Sequence, residues 1–180
     1  MNEKLLIGVV GTNGSGKSTV CEYLSQKGFL IVSLSDIIRD YVATKNLSPD
    51  RRTLTECANK LKQEYGLNYC AKQTYEKVVQ SEKKNAVFDS IRHPVEVEFL
   101  KGKQVILIGI ETTLQKRYER IQKRKRQTDF VTFETFKAQD EAESSGSSYG
   151  QSISKCLELC DHKILNNSTL EELYKKNKFN

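Results

Sequence analysis

A chain of 180 residues with 37% hydrophobic and 29% charged residues is sized and composed for one globular domain with a full core. No apolar run approaches the ~18–20 residues of a membrane span, and Met1-Asn2-Glu3-Lys4 runs straight into the first apolar segment, so neither membrane insertion nor a targeting peptide is expected. The cysteines at 21, 57, 70, 156 and 160 are odd in number and scattered, which excludes a disulfide framework and makes a reducing, cytoplasmic compartment the expectation. A net charge of +6 and a pI near 9.0 admit a nucleic-acid surface or a site that collects several anionic groups; only the placement of the charge decides.

In chain order, Lys4–Val10 is almost wholly apolar, as a central parallel strand buried on both faces must be. The run Gly11-Thr12-Asn13-Gly14-Ser15-Gly16-Lys17-Ser18 follows, then a helix over 18–27 with Val20, Tyr23 and Leu24 on one face, closed by Gly28. A second strand spans 29–34, and Ser35 is placed to cap a helix from Asp36 whose stripe is Ile37, Ile38, Tyr41 and Val42. Ser48 with Pro49 in the first turn opens a further helix through Leu54, Cys57, Ala58, Leu61 and Tyr65, ended by Gly66, and residues 69–82 form another. Three helices exceed what a strand crossover needs, so 36–83 reads as an inserted acceptor-binding element.

Ala86-Val87-Phe88-Asp89 is a third strand, Pro94 opens a helix closed by Gly102, and 104–110 is a fourth strand. Thr112 and Gln115 form a capping box for the next helix, whose basic end Lys123-Arg124-Lys125-Arg126 enters a polar stretch with Ser144-Ser145-Gly146-Ser147-Ser148. That stretch reads as a lid over 124–150 built on one helix from Thr132 to about Glu143. A helix over 152–160, a strand over 162–165 and a final helix capped by Ser168 and Glu171 complete the chain. The alternation predicts an α/β fold: a three-layer α-β-α domain with a five-stranded parallel sheet. One domain covers 1–180, with a core of 1–35, 84–123 and 151–180 carrying the insert and the lid.

The pattern G-x-x-x-x-G-K-[ST] between strand and helix is the phosphate-binding P-loop. Gly11, Gly14 and Gly16 free the backbone to turn N–H groups onto an anion at a helix N-terminus, with Thr12, Asn13, Ser15 and Thr19 completing the cradle. Lys17 reaches the β- and γ-phosphates and the Ser18 hydroxyl holds Mg²⁺. In parallel sheets, ligands bind beyond the carboxyl ends of the strands. Two such ends carry Asp-x-x-Arg: Asp36 with Arg39, and Asp89 with Arg92. Asp89 suits the carboxylate that holds the Mg²⁺ shell, Arg39 and Arg92 suit grips on an acceptor phosphate, and Asp36 suits a group orienting the attacking oxygen; the competing reading of each pair is a solvated ion pair.

Arg117, Arg120 and Arg124 share one face of the helix after the fourth strand, beside the apolar face of Leu114, Tyr118 and Ile121. They read as cations that neutralise a transferred phosphoryl group, with Arg126 at the lid hinge joining them, against the plainer reading of a solvated stripe. Cys156, Cys160 and His162 lack a fourth metal ligand and read as packed thiols beside a histidine.

These residues resemble those of nucleoside-monophosphate-kinase-like P-loop kinases, the group of adenylate kinases, dephospho-CoA kinases and deoxynucleotide kinases. Ser33-Leu34-Ser35-Asp36-Ile37-Ile38-Arg39 resembles the segment that opens their acceptor site, and Glu119-Arg120-Ile121-Gln122-Lys123-Arg124 resembles the adenylate kinase helix. That likeness implies that Arg120 packs on adenine and Arg124 holds phosphate. Asp89-Ser90-Ile91-Arg92 with Glu96-Val97-Glu98 is similar to deoxynucleotide and dephospho-CoA kinases. Ile164-Leu165-Asn166-Asn167 resembles the loop that holds the donor base in the latter, which implies that role for Asn166. Over nearly the whole chain the likeness is to a short archaeal family of unassigned P-loop kinases grouped with dephospho-CoA kinases. The adenylate kinase Asp-Gly-Phe-Pro-Arg element is absent, and the lid has no cysteine to hold zinc.

The resemblance implies a kinase using ATP and Mg²⁺, with a (deoxy)nucleoside monophosphate as the leading acceptor and dephospho-CoA second. The rival from another class is an adenylate-kinase-like ATPase acting as an RNA or ribosome assembly factor; a shikimate- or mevalonate-type metabolite kinase is a third reading. No aromatic-interleaved basic signature supports nucleic acid, so the expected partner is a small phosphorylated acceptor, with no membrane and a monomer or homodimer.

Overall fold

Leu6–Val10 forms β1, buried at every residue, and its neighbours on both sides run parallel to it. The computed structural model describes residues 4–125, 129–145 and 151–167, the side chains of Arg51 and Ser145 excepted. Within them α1 is Lys17–Gln26, β2 Leu30–Ser33, α2 Leu34–Thr44, α3 Arg51–Tyr65, α4 Tyr69–Gln80 and β3 Ala86–Asp89. Then come α5 (Pro94–Lys101), β4 (Ile106–Glu111), α6 (Leu114–Arg124), α7 (Phe133–Ser145), α8 (Ile153–Glu158) and β5 (His162–Leu165). The five strands form one parallel sheet in the order β2-β3-β1-β4-β5.

Strand alternation divides β1 between two cores. Ile7 and Val9 face Cys21 and Leu24 of α1, with Val87, Ile108 and Ile110 beside them. Leu6 and Val10 face the other way, into a cluster with Leu34 and Ile37 of α2, Val78 of α4, Leu100 of α5 and Ile153 of α8. The result is the expected three-layer α-β-α arrangement. It places the carboxyl ends of β1 and β3 side by side, with Ser33 of β2 in register with Asp89 of β3.

Helix starts differ from the sequence reading where two cap residues compete. Ser33, in extended conformation, precedes α2, so Ser35 lies inside the helix. Asp50, rather than Ser48, opens α3: its carboxylate accepts the Thr53 N–H at 2.9 Å. Thr113 is the residue before α6, and Thr112 makes no cap because its hydroxyl is engaged elsewhere. Arg126, the serines at 147 and 148, and the helix read from Ser168 and Glu171 lie outside the described residues. No helix among the described residues is long and apolar enough to cross a membrane.

Gly8 of β1 sits where the core leaves no room for a side chain. A Cβ there would lie 2.5 Å from Leu107 Cδ1 and 2.9 Å from Ile91 Cδ1. Overpacking a filled core costs about 1–3 kcal/mol. Gly8→Ala is therefore expected to lower unfolding free energy by that amount in urea melts; an unchanged midpoint would show that Leu107 and Ile91 have room to move.

Candidate functional site

The loop leaving β1 is shaped by what packs behind it. Gly14 and Gly16 take left-handed φ values of +79° and +103°, open to glycine without strain. A Cβ on Gly14 would lie 2.7 Å from the Arg117 carbonyl oxygen, and one on Gly16 would strike the Asn166 amide. Gly11 has no such φ; a Cβ there would lie 2.6 Å from Ser15 Oγ and 2.8 Å from the Ile110 carbonyl oxygen, so it is needed for space, not for conformation as its sequence context implied.

The Ser15 carbonyl oxygen is gripped from three elements. It accepts from Asn166 Nδ2 at 2.8 Å, Thr112 Oγ1 at 3.1 Å and Arg120 Nη1 at 3.3 Å. Arg120 Nη2 also donates to the Asn166 carbonyl at 3.0 Å. A carbonyl turned back into the protein leaves the loop's N–H groups free to face the other way, toward an anion. Arg120 and Asn166, read as contacts to the donor base, thus brace the P-loop here. The local sequence marks Thr112 as a helix cap and carries no sign of this task.

Lys17 Nζ lies 3.0 Å from the Thr12 carbonyl oxygen. Burial lowers its pKa to about 8, although the nearby Asp89 carboxylate works in the opposite direction. Asp89 ends β3 with Oδ1 buried and without a hydrogen-bond partner among the described residues, while Oδ2 accepts from Ser90 Oγ at 3.5 Å. Ser90 Oγ in turn accepts from Ser33 Oγ at 2.9 Å, and Ser90 is held at a left-handed φ of +65°. Ser18 and Asp89 line the same cleft. A hydroxyl and an orphaned, buried carboxylate oxygen beside a phosphate loop are oxygen donors suited to Mg²⁺, so these residues fit the ion assigned to them.

The cleft encloses about 1350 Å³ and is walled by the P-loop with Thr19, the ends of β2 and β3, and parts of α2, α3, α6 and α7. It brings together Lys17, Ser18, Arg39, Asp89, Arg92, Arg120, Arg124 and Asn166. Asp36 is not on its wall; its carboxylate accepts from Arg39 Nη1 at 2.8 Å with both side chains more than half exposed. The two partners of that motif therefore satisfy each other at the rim. Arg117 is buried and spans from Thr112 O at 3.1 Å to Asp140 of α7, with the Phe136 ring beneath its guanidinium. It braces α7 instead of facing the cleft. Arg124 pairs with the buried Asp129 at 2.7 Å and reaches Asn13 Oδ1 at 3.2 Å; the Asp129 hydrogen bonds raise its pKa.

Three further wall residues carry no role in the sequence reading. Lys62 of α3 is buried, as is Glu96 of α5, and the lysine's charge acts on that carboxylate. Burial raises the Glu96 pKa; Lys62 and the N–H groups of Arg92 and His93, at 2.9 and 3.0 Å from Oε2, oppose the rise. Gln151 Oε1 accepts from Arg92 Nη1 at 2.6 Å. Away from the cleft, Cys156 and Cys160 are packed thiols, pushed up to about 12 and about 11 by burial, with Cys160 donating to the Cys156 carbonyl at 3.3 Å. Among the described residues no cluster of His, Cys, Asp and Glu is arranged to hold a metal ion.

Two consequences can be measured. A bound polyphosphate holds Lys17 charged, so nucleotide binding takes up a proton, and affinity falls as pH rises through about 8. Calorimetry in buffers of different ionisation enthalpy reads that uptake, and Lys17→Met is expected to remove it. Arg117→Ala strands Asp140, which is only 15% exposed, and is expected to cost about 3 kcal/mol in urea unfolding; a loss within error would reduce the pair to a surface contact.

A family profile for an AAA domain matches residues 7–144. The UPF0200 protein of Thermococcus gammatolerans is 32% identical over 178 residues, covering 96% of this chain and 91% of its own. The UPF0200/UPF0201 protein of Archaeoglobus fulgidus is 31% identical over 179 residues, and this chain spans 54% of its length. Among solved structures, TT1252 of Thermus thermophilus superposes with a TM-score of 0.65 at 18% identity, covering 98% of this chain and 96% of that one. Shikimate kinase of Acinetobacter baumannii in complex with shikimate does so at 0.55 and 16% identity, covering 99% and 97%. The fold is therefore that of P-loop kinases, and by its sequence the chain belongs to the AAA domain family and to the UPF0200 family.

Proposed function

We propose that this chain is a Mg²⁺- and ATP-dependent kinase that transfers the γ-phosphoryl group to a small phosphorylated, nucleotide-like acceptor. A (deoxy)nucleoside monophosphate is the leading acceptor and dephospho-CoA the second. The observation that carries the reading is charge placement. Lys17 of the phosphate loop and Arg92 beyond β3 line one cleft with Asp89, two cationic groups for two anions. An acceptor oxygen attacks the γ-phosphorus, the bond to the β–γ bridging oxygen breaks, and ADP leaves.

The chain's own residues supply position and charge. The P-loop N–H groups and Lys17 hold the donor phosphates, and Arg92 and Arg39 hold the acceptor's phosphate. Ser18 and Asp89 would hold Mg²⁺, which supplies charge neutralisation on the β- and γ-oxygens. Arg124, seated between Asn13 and Asp129, lies over the loop that carries the donor. The insert over 36–83 is assigned to the acceptor and the stretch over 124–150 to a lid that keeps water out. The enzyme is proposed to act in the cytoplasm, as a monomer or homodimer, without a nucleic-acid partner.

A coupled ADP-release assay over nucleoside and deoxynucleoside monophosphates, dephospho-CoA and shikimate tests this. One phosphorylated acceptor is expected to raise ADP release at least about tenfold above the acceptor-free rate, a modest share of what oriented transfer can supply. Lys17→Ala is expected to abolish turnover with an unchanged circular dichroism spectrum. Acceptor-independent hydrolysis stimulated by RNA instead would overturn the kinase reading in favour of an assembly ATPase.

A further inference from the structure

Of the arginines that the sequence offers to phosphate, Arg126 lies outside the described residues, Arg120 braces the P-loop, and the other four meet different fates. Asp36 pairs with Arg39, Asp140 with Arg117 and Asp129 with Arg124. Among the described residues no carboxylate stands within ion-pair distance of the Arg92 guanidinium; its partner is the neutral amide oxygen of Gln151, at 2.6 Å. The backbone around Arg92 is held as firmly. Its N–H donates to Glu96 Oε2 at 2.9 Å, and its carbonyl accepts the Ser152 N–H at 2.9 Å. Residues 151 and 152 thus grip both the side chain and the main chain of one arginine. Burial raises the pKa of Glu96 in the same wall, and the charges of Lys62 and of Arg92 itself oppose that rise.

We propose that Gln151 is the positioning residue of the acceptor grip: it orients Arg92 into the cleft and, being neutral, leaves the guanidinium charge available to an acceptor anion. Arginine is a long, flexible cation, and a guanidinium ordered before its ligand arrives binds more tightly than one that must be ordered on binding. A glutamate at 151 would occupy the same volume and form a stronger, charge-assisted bond. It would also cancel the charge the cleft presents. Stability alone would favour the carboxylate that Arg39, Arg117 and Arg124 each have; an anion site favours the amide. This inference rests on the reading that Arg92 faces the acceptor, and it commits further to a residue outside every recognised motif.

The test needs no turnover. The P-loop of the full chain is saturated with Mg-ADP, and inorganic phosphate is then titrated by calorimetry against wild type, Gln151→Glu and Gln151→Leu. The expected order of phosphate affinity is wild type, then Gln151→Leu, then Gln151→Glu, with the last weakened about tenfold or more by the added charge. ADP affinity is expected to be unchanged in all three. A merely structural role predicts the opposite sign for Gln151→Glu, since its bond to Arg92 is stronger. Equal or tighter phosphate binding by that variant overturns the proposal, as does wild-type affinity in Gln151→Leu. Joint loss of ADP and phosphate binding, or no phosphate binding by the ADP-loaded wild type, overturns it too. An acceptor panel that fails while phosphate follows the expected order rejects the kinase reading and leaves the Gln151 role standing.

Discussion

The carbonyl oxygen of Ser15 takes hydrogen bonds from Asn166, Thr112 and Arg120, residues that arrive from the end of β5, the β4–α6 junction and α6. A phosphate loop needs its N–H groups turned toward the ligand, and repulsion between those like-oriented dipoles opposes the arrangement when no anion is present. Holding the opposing carbonyl supplies the compensating attraction in advance. The glycines at 14 and 16 let Arg117 and Asn166 close in against the loop at distances that a side chain would forbid. The phosphate cradle is therefore a property of three chain segments packed together, and its shape depends on the sheet that brings them there.

Charge in the cleft follows from how each cation is partnered. A buried guanidinium with a bidentate carboxylate, such as Arg117 with Asp140, is a structural strut whose removal leaves an unpaired charge. Arg39 and Asp36 at the exposed rim form a pair of the kind that contributes little to stability. The Arg92 side chain is anchored by the neutral amide of Gln151 and its N–H by the Glu96 carboxylate; in the proposed reading its guanidinium charge serves the acceptor anion. Lys17, buried and with its pKa lowered to about 8, stores desolvation cost that an incoming phosphate relieves. The same residue types thus take different parts because of what lies within a few ångströms of each.

The superposition on shikimate kinase concerns the scaffold alone. A parallel sheet with helices on both faces presents strand ends at one edge whatever the substrate. In this chain α2 and α3 contribute Ile38, Arg39, Leu54, Asn59 and Lys62 to the wall of the cleft. In the proposed function that wall is the part assigned to the acceptor.

Strand and helix order, the parallel sheet and the phosphate loop were legible in the linear chain because each rests on short-range rules: an apolar run for β1, glycine spacing, and apolar residues every three or four positions in the helices. β3 falls at 86–89, where the apolar run Ala86-Val87-Phe88 places it, and β5 at 162–165 as expected. What resisted reading depends on partners distant in sequence. Whether Asp36 faces a ligand or Arg39, whether Arg117 faces phosphate or Asp140, and whether Thr112 caps a helix or braces Ser15 are competitions between hydrogen-bond acceptors. Gln151 and Arg92 meet across 59 positions of chain, and neither carries a local sign of the other. Periodicity and glycine placement determined the scaffold and its phosphate loop; tertiary packing alone decided which charges remain exposed to a ligand, because pairing energy depends on separation in space and sequence distance says nothing about it.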